Sequence, residues 1–251
     1  MLSMEHCGPL TRTVTDAALA LSVMAGFDPR DGYALHESAP DVLSGLNRGV
    51  RDLRIAYSPD LSIASIDPEV HRGISQTRRV FTELGARVTK VNLDLSDSLR
   101  ISDDLCDAVA ARVLVSLGRR RSKVTNPLFL ASASRGAEQT ALSYVNADLE
   151  RSRLRAKMAE FHTRYDLLIA PSVTVPPFAA DGDDADGWRA PTAGSRWMST
   201  LLPFDLTGQP SISVPCGFSA AGGPFGLQIV GAYGADALVL QAARAFERRS
   251  R

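Results

Sequence analysis

This sequence has few cysteines, and it lacks a targeting signal and long apolar stretches. Its three cysteines, Cys7, Cys106 and Cys216, lie far apart and none belongs to a CxxC pair, which argues against a disulfide framework and against a zinc site. The first ten residues, MLSMEHCGPL, lack the basic and apolar regions of a signal peptide. No apolar run approaches the roughly 18 to 20 residues that cross a bilayer. We therefore expect a cytoplasmic protein that binds neither a membrane nor a metal ion.

Lysine is scarce as well, and neither sign of charge is in excess. The chain has 28 basic and 28 acidic residues, so its formal net charge is zero and no overall field favours nucleic acid as a partner. Only three of the basic residues, Lys90, Lys123 and Lys157, are lysines. Lysine is the basic side chain that proteins tune to lose its proton. Chemistry that needs a lysine base therefore has few positions available here.

Motifs that hold cofactors or activate nucleophiles are also missing. The stretch GGPFG (222–226) precedes a predicted strand, whereas phosphate-binding loops precede a helix, so we interpret it as a turn and expect no cofactor. There is no G-x-S-x-G elbow, and the four histidines are scattered without metal-ligand spacing. Cys216 follows a proline at a strand end and has no identifiable partner base, so we expect a small buried hydrophobic side chain there.

What the sequence does contain is an alternation of helix and strand patterns. Thr13, with Asp16 three residues later, is a capping signal for a helix over 14–25 that Gly26 ends. Apolar residues lie almost all round this helix, so we expect it to be buried within a large body. LRIAY (53–57) and ARVTKVNL (86–93) are typical of strands. Asp67 and Pro68 begin a helix between them, so the two strands should be parallel.

The rest of the chain continues the same alternation. We predict a helix over 103–121, then a second long helix from about Gly136 to Tyr165 with its arginines on the outer side. The later elements are a buried strand over 166–171, a polar loop over about 179–196, a hairpin formed by SISVPCGF and PFGLQIVGA, and a closing helix in ADALVLQAARAFERR.

Three of these stretches resemble one known family. GPLTRTVTDAALALSVMAGFDPRDG (8–32), YDLLIAPS (165–172) and the run over 203–247 are similar to segments of the amidase signature family, whose members hydrolyse or transfer carboxamides. Residues 100–160 match only in general pattern and give no substrate class. The resemblance implies an α/β fold with a mixed β-sheet flanked by helices. It also implies a single α/β domain over 1–251 that corresponds to the C-terminal half of an amidase.

The family's catalytic residues have no counterpart in this sequence. Amidase signature enzymes use a lysine, a serine in a cis peptide and a nucleophilic serine, all upstream of the motif that begins here at Gly8. The sequence contains no Gly-Gly-Ser and no Ser-x-x-Lys, and none of its lysines stands beside a glycine-rich serine loop. We therefore expect no catalytic residue in this chain. The first hypothesis is a truncated amidase that is inactive alone.

Two other hypotheses stay open. The chain is one half of a split amidase that regains activity with a partner, or it is a non-catalytic binding module built on the same fold. A truncated gene, a split gene or a mis-assigned start would each place the family motif close to Met1. The expected partner is an N-terminal-half chain or a second copy of this chain, and a small amide substrate would bind only to the complemented site.

The substrate-lining residues predicted for that complemented site are Phe204 and Asp205. They belong to the segment 202–209, which enters the predicted hairpin. Loops at the strand ends of α/β sheets border ligand sites, so this segment is the candidate pocket wall. The alternative, that PFDLTG is a packed turn without contact to a substrate, is equally compatible with the sequence.

Overall fold

The computed structural model describes residues 4, 6–35, 39–178 and 197–250. The predicted polar loop over 179–196 lies outside the described residues. The helices and strands, in chain order, are α1 (Val14–Met24), β1 (Arg54–Tyr57), α2 (Pro68–Glu83), β2 (Arg87–Lys90), α3 (Asp97–Ser116), a 3-10 helix (Gly118–Lys123), α4 (Pro127–Glu138), α5 (Ala141–Arg164), β3 (Leu167–Pro171), α6 (Leu202–Thr207), β4 (Ser211–Phe218), β5 (Pro224–Gly231) and α7 (Asp236–Ser250).

The described strands form one mixed sheet in the order β2-β1-β3-β5-β4. β1 pairs in parallel with β2 and β3, whereas β5 runs antiparallel to both β3 and β4. The predicted parallel unit, the buried strand before Ser172 and the C-terminal hairpin are therefore confirmed. The predicted fold class, an α/β fold with a mixed sheet flanked by helices, is confirmed as well.

Each face of the sheet is covered by its own hydrophobic core. In β3, Leu167 and Ile169 contribute to the core that includes residues of α1, α2 and α7. Leu168 and Ala170, which point to the opposite face because side chains alternate along a strand, contribute to the core that includes residues of α3, α5 and α6. β3 is thus buried along its whole length.

Helix α1 begins as the sequence predicts but is not buried as predicted. Thr13 caps it, with Oγ1 accepting from the backbone N–H of Asp16 at 3.1 Å, and Gly26 adopts a positive φ of 151° just after its end. Only one face, Val14, Ala17 and Ala18, is buried. The expectation of burial all round is wrong, because the opposite side of the helix is not covered by any described residue. The apolar side chains exposed there are Leu19, Val23 and Met24.

The middle of the chain contains more helix breaks than predicted. α3 begins at Asp97, six residues before the predicted start, and ends at Ser116 before the 3-10 helix. The single helix expected from about Gly136 to Tyr165 is interrupted after Glu138: its first residues are the end of α4, which begins at Pro127, and the rest is α5. Thr140 accepts a hydrogen bond from the backbone N–H of Ser143 at 3.1 Å and so caps a new helix. Helix formers on both sides of Thr140 masked this signal.

Helices α3 and α4 are held together by a buried carboxylate. Asp107 on α3 accepts two hydrogen bonds from the guanidinium of Arg135, at 2.6 and 2.8 Å, and a third from Ser132. At the same contact, Gly136 approaches so closely that a Cβ atom there would lie 1.9 Å from the carbonyl oxygen of Asp107. The spacing between these two helices therefore depends on the glycine.

Candidate functional site

The carboxyl ends of two parallel strands meet at one edge of the sheet. β1 ends at Tyr57 and β3 at Pro171, and each is followed by a serine, Ser58 and Ser172. Their backbones are joined, since the N–H of Ser58 donates to the carbonyl of Ile169 at 3.1 Å. Ligand sites of open α/β sheets lie outside the carboxyl ends of the strands. The residues that follow β3 therefore form the candidate site.

Three hydroxyl residues from separate segments cluster at the end of β3. The Oγ atoms of Ser172 and Ser213 are 2.7 Å apart, and Thr200 Oγ1 donates to the carbonyl oxygen of Ser172 at 2.8 Å. We call Ser172, Thr200 and Ser213 the hydroxyl cluster. Gly226 on β5 makes room for it, because a Cβ atom there would lie 2.4 Å from Ser213 Oγ and 2.8 Å from Ser172 Oγ.

Buried polar atoms next to the hydroxyl cluster have no hydrogen-bond partner among the described residues. Ser199 precedes Thr200 in the chain, and Gln228 is the cross-strand partner of Ser213. A buried polar atom without a partner costs about 1–3 kcal/mol, so this end of β3 carries polar groups at a cost in stability. The atoms are Thr174 Oγ1, Trp197 Nε1, Ser199 Oγ and Gln228 Oε1.

The predicted lining residues Phe204 and Asp205 lie on a helix, not in a loop. The segment that enters the hairpin forms α6, which Gly208 ends in a left-handed conformation with a φ of 72°. Phe204 is 2 % exposed and belongs to the core beneath α3 and α5. Asp205 is about half exposed, with its Oδ1 atom 3.5 Å from His6 Nδ1. The structure thus directs the two neighbouring side chains to different surroundings.

His6 and Asp205 form an ion pair that bridges the N-terminal segment and α6. The hydrogen bond to Asp205 raises the pKa of His6, although partial burial acts against it. Both side chains remain about half exposed, so solvent screens the attraction and the pair stabilises the fold only modestly. The pair does place a titratable group beside the predicted lining carboxylate.

Arg151 was missed by the sequence interpretation, which placed the arginines of this region on the outer side of the helix. Arg151 on α5 is only 5 % exposed, and its Nε atom donates to the carbonyl oxygen of Leu206 on α6 at 2.7 Å. Burial, followed by the nearby charge of Arg155, lowers the pKa of Arg151. Its neighbours Arg153 and Arg155 are exposed as predicted. Helical periodicity around Leu154 was the available signal for this burial.

A partly buried histidine network fixes the chain where α6 leads into β4. His162 Nδ1 is 3.1 Å from the carbonyl oxygen of Tyr165, which can only accept, so Nδ1 carries the proton. His162 Nε2 then accepts from Gln209 Nε2 at 2.8 Å, and the same amide group donates to the carbonyl of Gly231. Burial lowers the pKa of His162. The histidine is therefore neutral in the folded protein.

The partial burial of His162 predicts a loss of stability at acidic pH. Its pKa in the folded protein lies below the unfolded value of about 6.5, so the unfolded state takes up the proton first as the pH falls. The free energy of unfolding should therefore decrease below about pH 6.5 and be unaffected by this group above it. Urea unfolding from about pH 5 to pH 8 measures the free energy of unfolding at each pH. In His162→Gln this free energy should decrease less steeply below about pH 6.5 than in the wild type.

His6 provides the matched control because its pKa is shifted the other way. Its ion pair with Asp205 stabilises the fold below the unfolded pKa, and that contribution is lost as the pH rises through the raised folded pKa. The free energy of unfolding of His6→Gln should therefore still decrease below about pH 6.5. If the free energy of unfolding of His162→Gln decreased as steeply at acidic pH as that of the wild type, the assignment to His162 would be contradicted.

None of the three lysines takes part in the candidate site. Lys90 ends β2, Lys123 ends the 3-10 helix, and Lys157 on α5 donates to the carbonyl oxygen of Asp94. Burial raises the pKa of the Cys216 thiol to about 12, so it stays protonated and is a poor nucleophile. Within the described ranges no three His, Cys, Asp or Glu side chains come together as a metal site.

Comparison with known proteins identifies the family. The model of the amidase family matches residues 1–240, which is most of the chain. This chain belongs to the amidase family. The amidase of Pseudomonas putida is 32% identical to it over 230 residues, covering 88% of this chain and 48% of that protein. A glutamyl-tRNA(Gln) amidotransferase subunit from Geobacter sp. (strain M21) is 29% identical over 275 residues, covering 99% of this chain and 56% of that protein.

A solved structure supports the same membership at the level of the fold. The crystal structure of a bacterial aryl acylamidase of the amidase signature family superposes with a TM-score of 0.85 at 31% identity, over 97% of this chain and 52% of that one. The resemblance stated from the sequence motifs is therefore confirmed. This amidase-family chain spans about half the length of the curated relatives that it matches.

The helices that the structure describes in this amidase-family chain lack membrane-spanning character. None of those within the described ranges is both long enough and apolar enough to cross a bilayer. None of the three cysteines, all of which the structure describes, forms a disulfide, and Cys7 and Cys106 are exposed.

Proposed function

We propose that this chain is the C-terminal half of an amidase that hydrolyses the carbon–nitrogen bond of a carboxamide, and that it is inactive alone. Its 251 residues act as a single α/β unit that contributes a wall of the substrate pocket. The lysine and the two serines that perform the chemistry would come from polypeptide outside this sequence. Three cysteines outside disulfides favour a cytoplasmic location, where thiols stay reduced.

The observation that carries this proposal, beyond family membership, is the polar end of β3. A primary carboxamide has one carbonyl acceptor and two N–H donors, and it needs complementary groups in a dry site. Trp197 Nε1 is a donor, Gln228 Oε1 is an acceptor, and the hydroxyls of Thr174 and Ser199 do either. These atoms are buried and have no partner among the described residues, and their donors and acceptors complement an amide group once the complemented site brings the two into contact.

The residues of this chain bind and orient, while residues outside this sequence react. In the amidase signature mechanism a serine attacks the amide carbonyl carbon, the C–N bond breaks, and the amine leaves with a proton. Water then releases the acyl group from the serine. A serine reaches that reactivity only with an adjacent base, and the three lysines of this chain lie in other surroundings. Ser172 and Ser213 pair with each other, so we assign them to the pocket wall.

A split amidase is the second candidate function. Exposed apolar side chains on α1 and α5 show that two helix faces are not covered by described residues. One relative is itself a subunit of a glutamyl-tRNA(Gln) amidotransferase, which is a precedent for a partner chain here. A non-catalytic binding module is the third candidate, and it predicts amide binding without turnover by any complemented assembly.

Asp205 and Phe204 should control substrate choice more than rate once the site is complemented. Asp205→Asn removes a half-exposed negative charge beside the pocket wall. The ratio of kcat/KM between cationic and neutral amides should therefore fall by up to about 5-fold, the size of one partly screened charge contact, with kcat for neutral amides nearly unchanged. Phe204→Leu keeps an apolar side chain in the core, so a shift in preference among aryl and alkyl amides should appear without unfolding.

The matched controls for this prediction are His6→Gln and Asp148→Asn. His6→Gln removes the partner of Asp205 but keeps its charge, and Asp148→Asn removes a different exposed carboxylate on α5. Specificity that is the same in wild type, Asp205→Asn and Phe204→Leu would show that α6 only packs against the core.

The proposal as a whole is tested by ammonia release from simple amides, with and without a second polypeptide that carries the lysine and serines.

A further inference from the structure

A groove separate from the candidate site lies beside the last helix. Its volume is about 280 Å³, and it opens between the end of α7, the end of α2 and the segment that leads into β1. It is on the side of the sheet covered by α1, α2 and α7, whereas Phe204 belongs to the core on the other side. We call it the arginine groove. It is lined by Leu46, Asn47, Gly49, Leu84, Arg244, Ala245, Arg248 and Arg249.

The arginine groove presents positive charge and no acidic lining residue. Arg249 pairs with Glu83 at 2.8 Å, and Arg244 pairs through one nitrogen with Glu247 at 2.6 Å. Arg248 has no ion pair among the described residues. The Nε atom of Arg244 is buried and has no acceptor within the same part of the chain. Two guanidinium groups of the lining thus keep N–H donors that are not used by the protein.

The position of these arginines on α7 is only partly explained by helix stability. Basic residues in the last turn offset the negative end of the helix dipole, and that accounts for Arg248 and Arg249. Arg244 lies more than a turn earlier, and its side chain is 24% exposed. A partly buried guanidinium with an unused donor is a costly feature unless it is satisfied by another group. The cationic side chains at this end of α7 therefore favour a nearby anion.

The apolar residues of the lining indicate which class of anion the groove would bind. Leu46 is a member of the core, and Leu84 and Ala245 pack against it, so they form an apolar side to a groove whose other side is cationic. A hydrated inorganic ion gains nothing from such a surface, whereas an apolar chain loses unfavourable contact with water there. The volume lies just below the range of about 300–1,000 Å³ found for drug-sized ligands, so the ligand is small.

We propose that the arginine groove binds a small organic carboxylate. The carboxylate accepts hydrogen bonds from the exposed guanidinium of Arg248, and a short apolar chain lies against Leu46, Leu84 and Ala245. Arginine suits this role because its planar fork of N–H donors matches a carboxylate. No bond is made or broken, and the site is independent of amide hydrolysis.

The test compares three probes on the full chain by NMR titration. Hexanoate carries both the charge and the apolar chain, hexanamide has the same shape without the charge, and inorganic phosphate has charge without the chain. Hexanoate should bind saturably, and the other two should bind at least about 10-fold more weakly. Arg248→Gln should weaken hexanoate by about 5-fold to 10-fold, with Arg248→Lys in between. Arg119→Gln, in the exposed 3-10 helix, should have no effect.

The alternative outcomes overturn the proposal in different ways. If hexanamide bound as tightly as hexanoate, the groove would recognise apolar shape alone. If phosphate bound as tightly as hexanoate, the groove would recognise negative charge alone. Unsaturable hexanoate binding, or binding unchanged by Arg248→Gln, would also refute it. Arg248 carries the test because Arg244→Gln would break the pair with Glu247, which also accepts from the N–H of Val14. The assay requires no turnover, so its result does not depend on the proposed amidase function.

Discussion

Purified by itself, the chain is expected to self-associate and to bind a hydrophobic dye strongly. Leu19, Val23 and Phe27 are 56%, 81% and 47% exposed along one side of α1 and the turn after it. A second apolar stripe lies on α5, at Leu142, Val145 and Leu149. Contiguous exposed apolar patches beyond a few hundred Å² mark interaction surfaces in folded proteins. We infer that a second polypeptide covers these two faces in the assembled enzyme, so in the isolated chain they should drive association.

Sedimentation velocity and dye fluorescence measure this expectation. Val23→Arg and Leu149→Arg place a charge in each stripe, so both variants should shift the chain toward monomer and lower the dye signal. Thr15→Arg, at an exposed polar position of α1, is the matched control and should change neither. A wild-type chain that is a compact monomer, melts cooperatively and binds no dye would show that these faces need no cover.

Gly136→Ala should be among the most destabilising single substitutions in the chain. An added Cβ would lie 1.9 Å from the carbonyl oxygen of Asp107 and 2.8 Å from the backbone nitrogen of Ala108. Backbone atoms of α3 cannot move aside as a flexible side chain can, so α3 and α4 must separate and strain the Asp107–Arg135 contact. We expect a loss of about 3 kcal/mol and a Tm lower by about 6–12 °C.

Helix propensity makes this test a demanding one. Alanine in a helix is favoured over glycine by about 1 kcal/mol, so propensity alone predicts that Gly136→Ala stabilises the protein. Gly32→Ala is the control, since a Cβ atom at Gly32 would meet no atom within 4 Å, and its effect should stay within about 0.5 kcal/mol. The Tm of both variants, measured by thermal unfolding, distinguishes the two expectations. A Tm for Gly136→Ala at or above that of the wild type would contradict the close packing of α3 on α4.

The features that the sequence predicted correctly are those whose cause is local. Thr13 and Asp16, three residues apart, cap α1, and Asp67 with Pro68 begins α2, because capping depends on neighbouring side chains alone. The alternating pattern of the C-terminal hairpin likewise predicted β4 and β5. The family resemblance then gave the fold class, since the motifs that carry it are themselves these locally determined elements.

The candidate site could not be predicted in the same way, because its parts come from distant segments. Ser172 and Ser213 are 41 positions apart in sequence and meet only through the pairing of β3, β5 and β4. Arg151 stands in a stretch whose composition is typical of a solvated helix face, and its burial depends on α6 packing against α5. Exposure of α1 depends on what packs against it, which no pattern within its own residues determines.

The central claim, that this chain is the binding half of an amidase and lacks the chemistry, is tested most directly by amide hydrolysis in two parallel assays. The 251-residue chain alone should release no ammonia from simple amides above background. Mixed with a second polypeptide from an amidase relative that carries the lysine and the two serines in glycine-rich loops, it should give turnover that neither part shows alone. Turnover by the chain alone that a single substitution such as Ser172→Ala abolishes would contradict the claim.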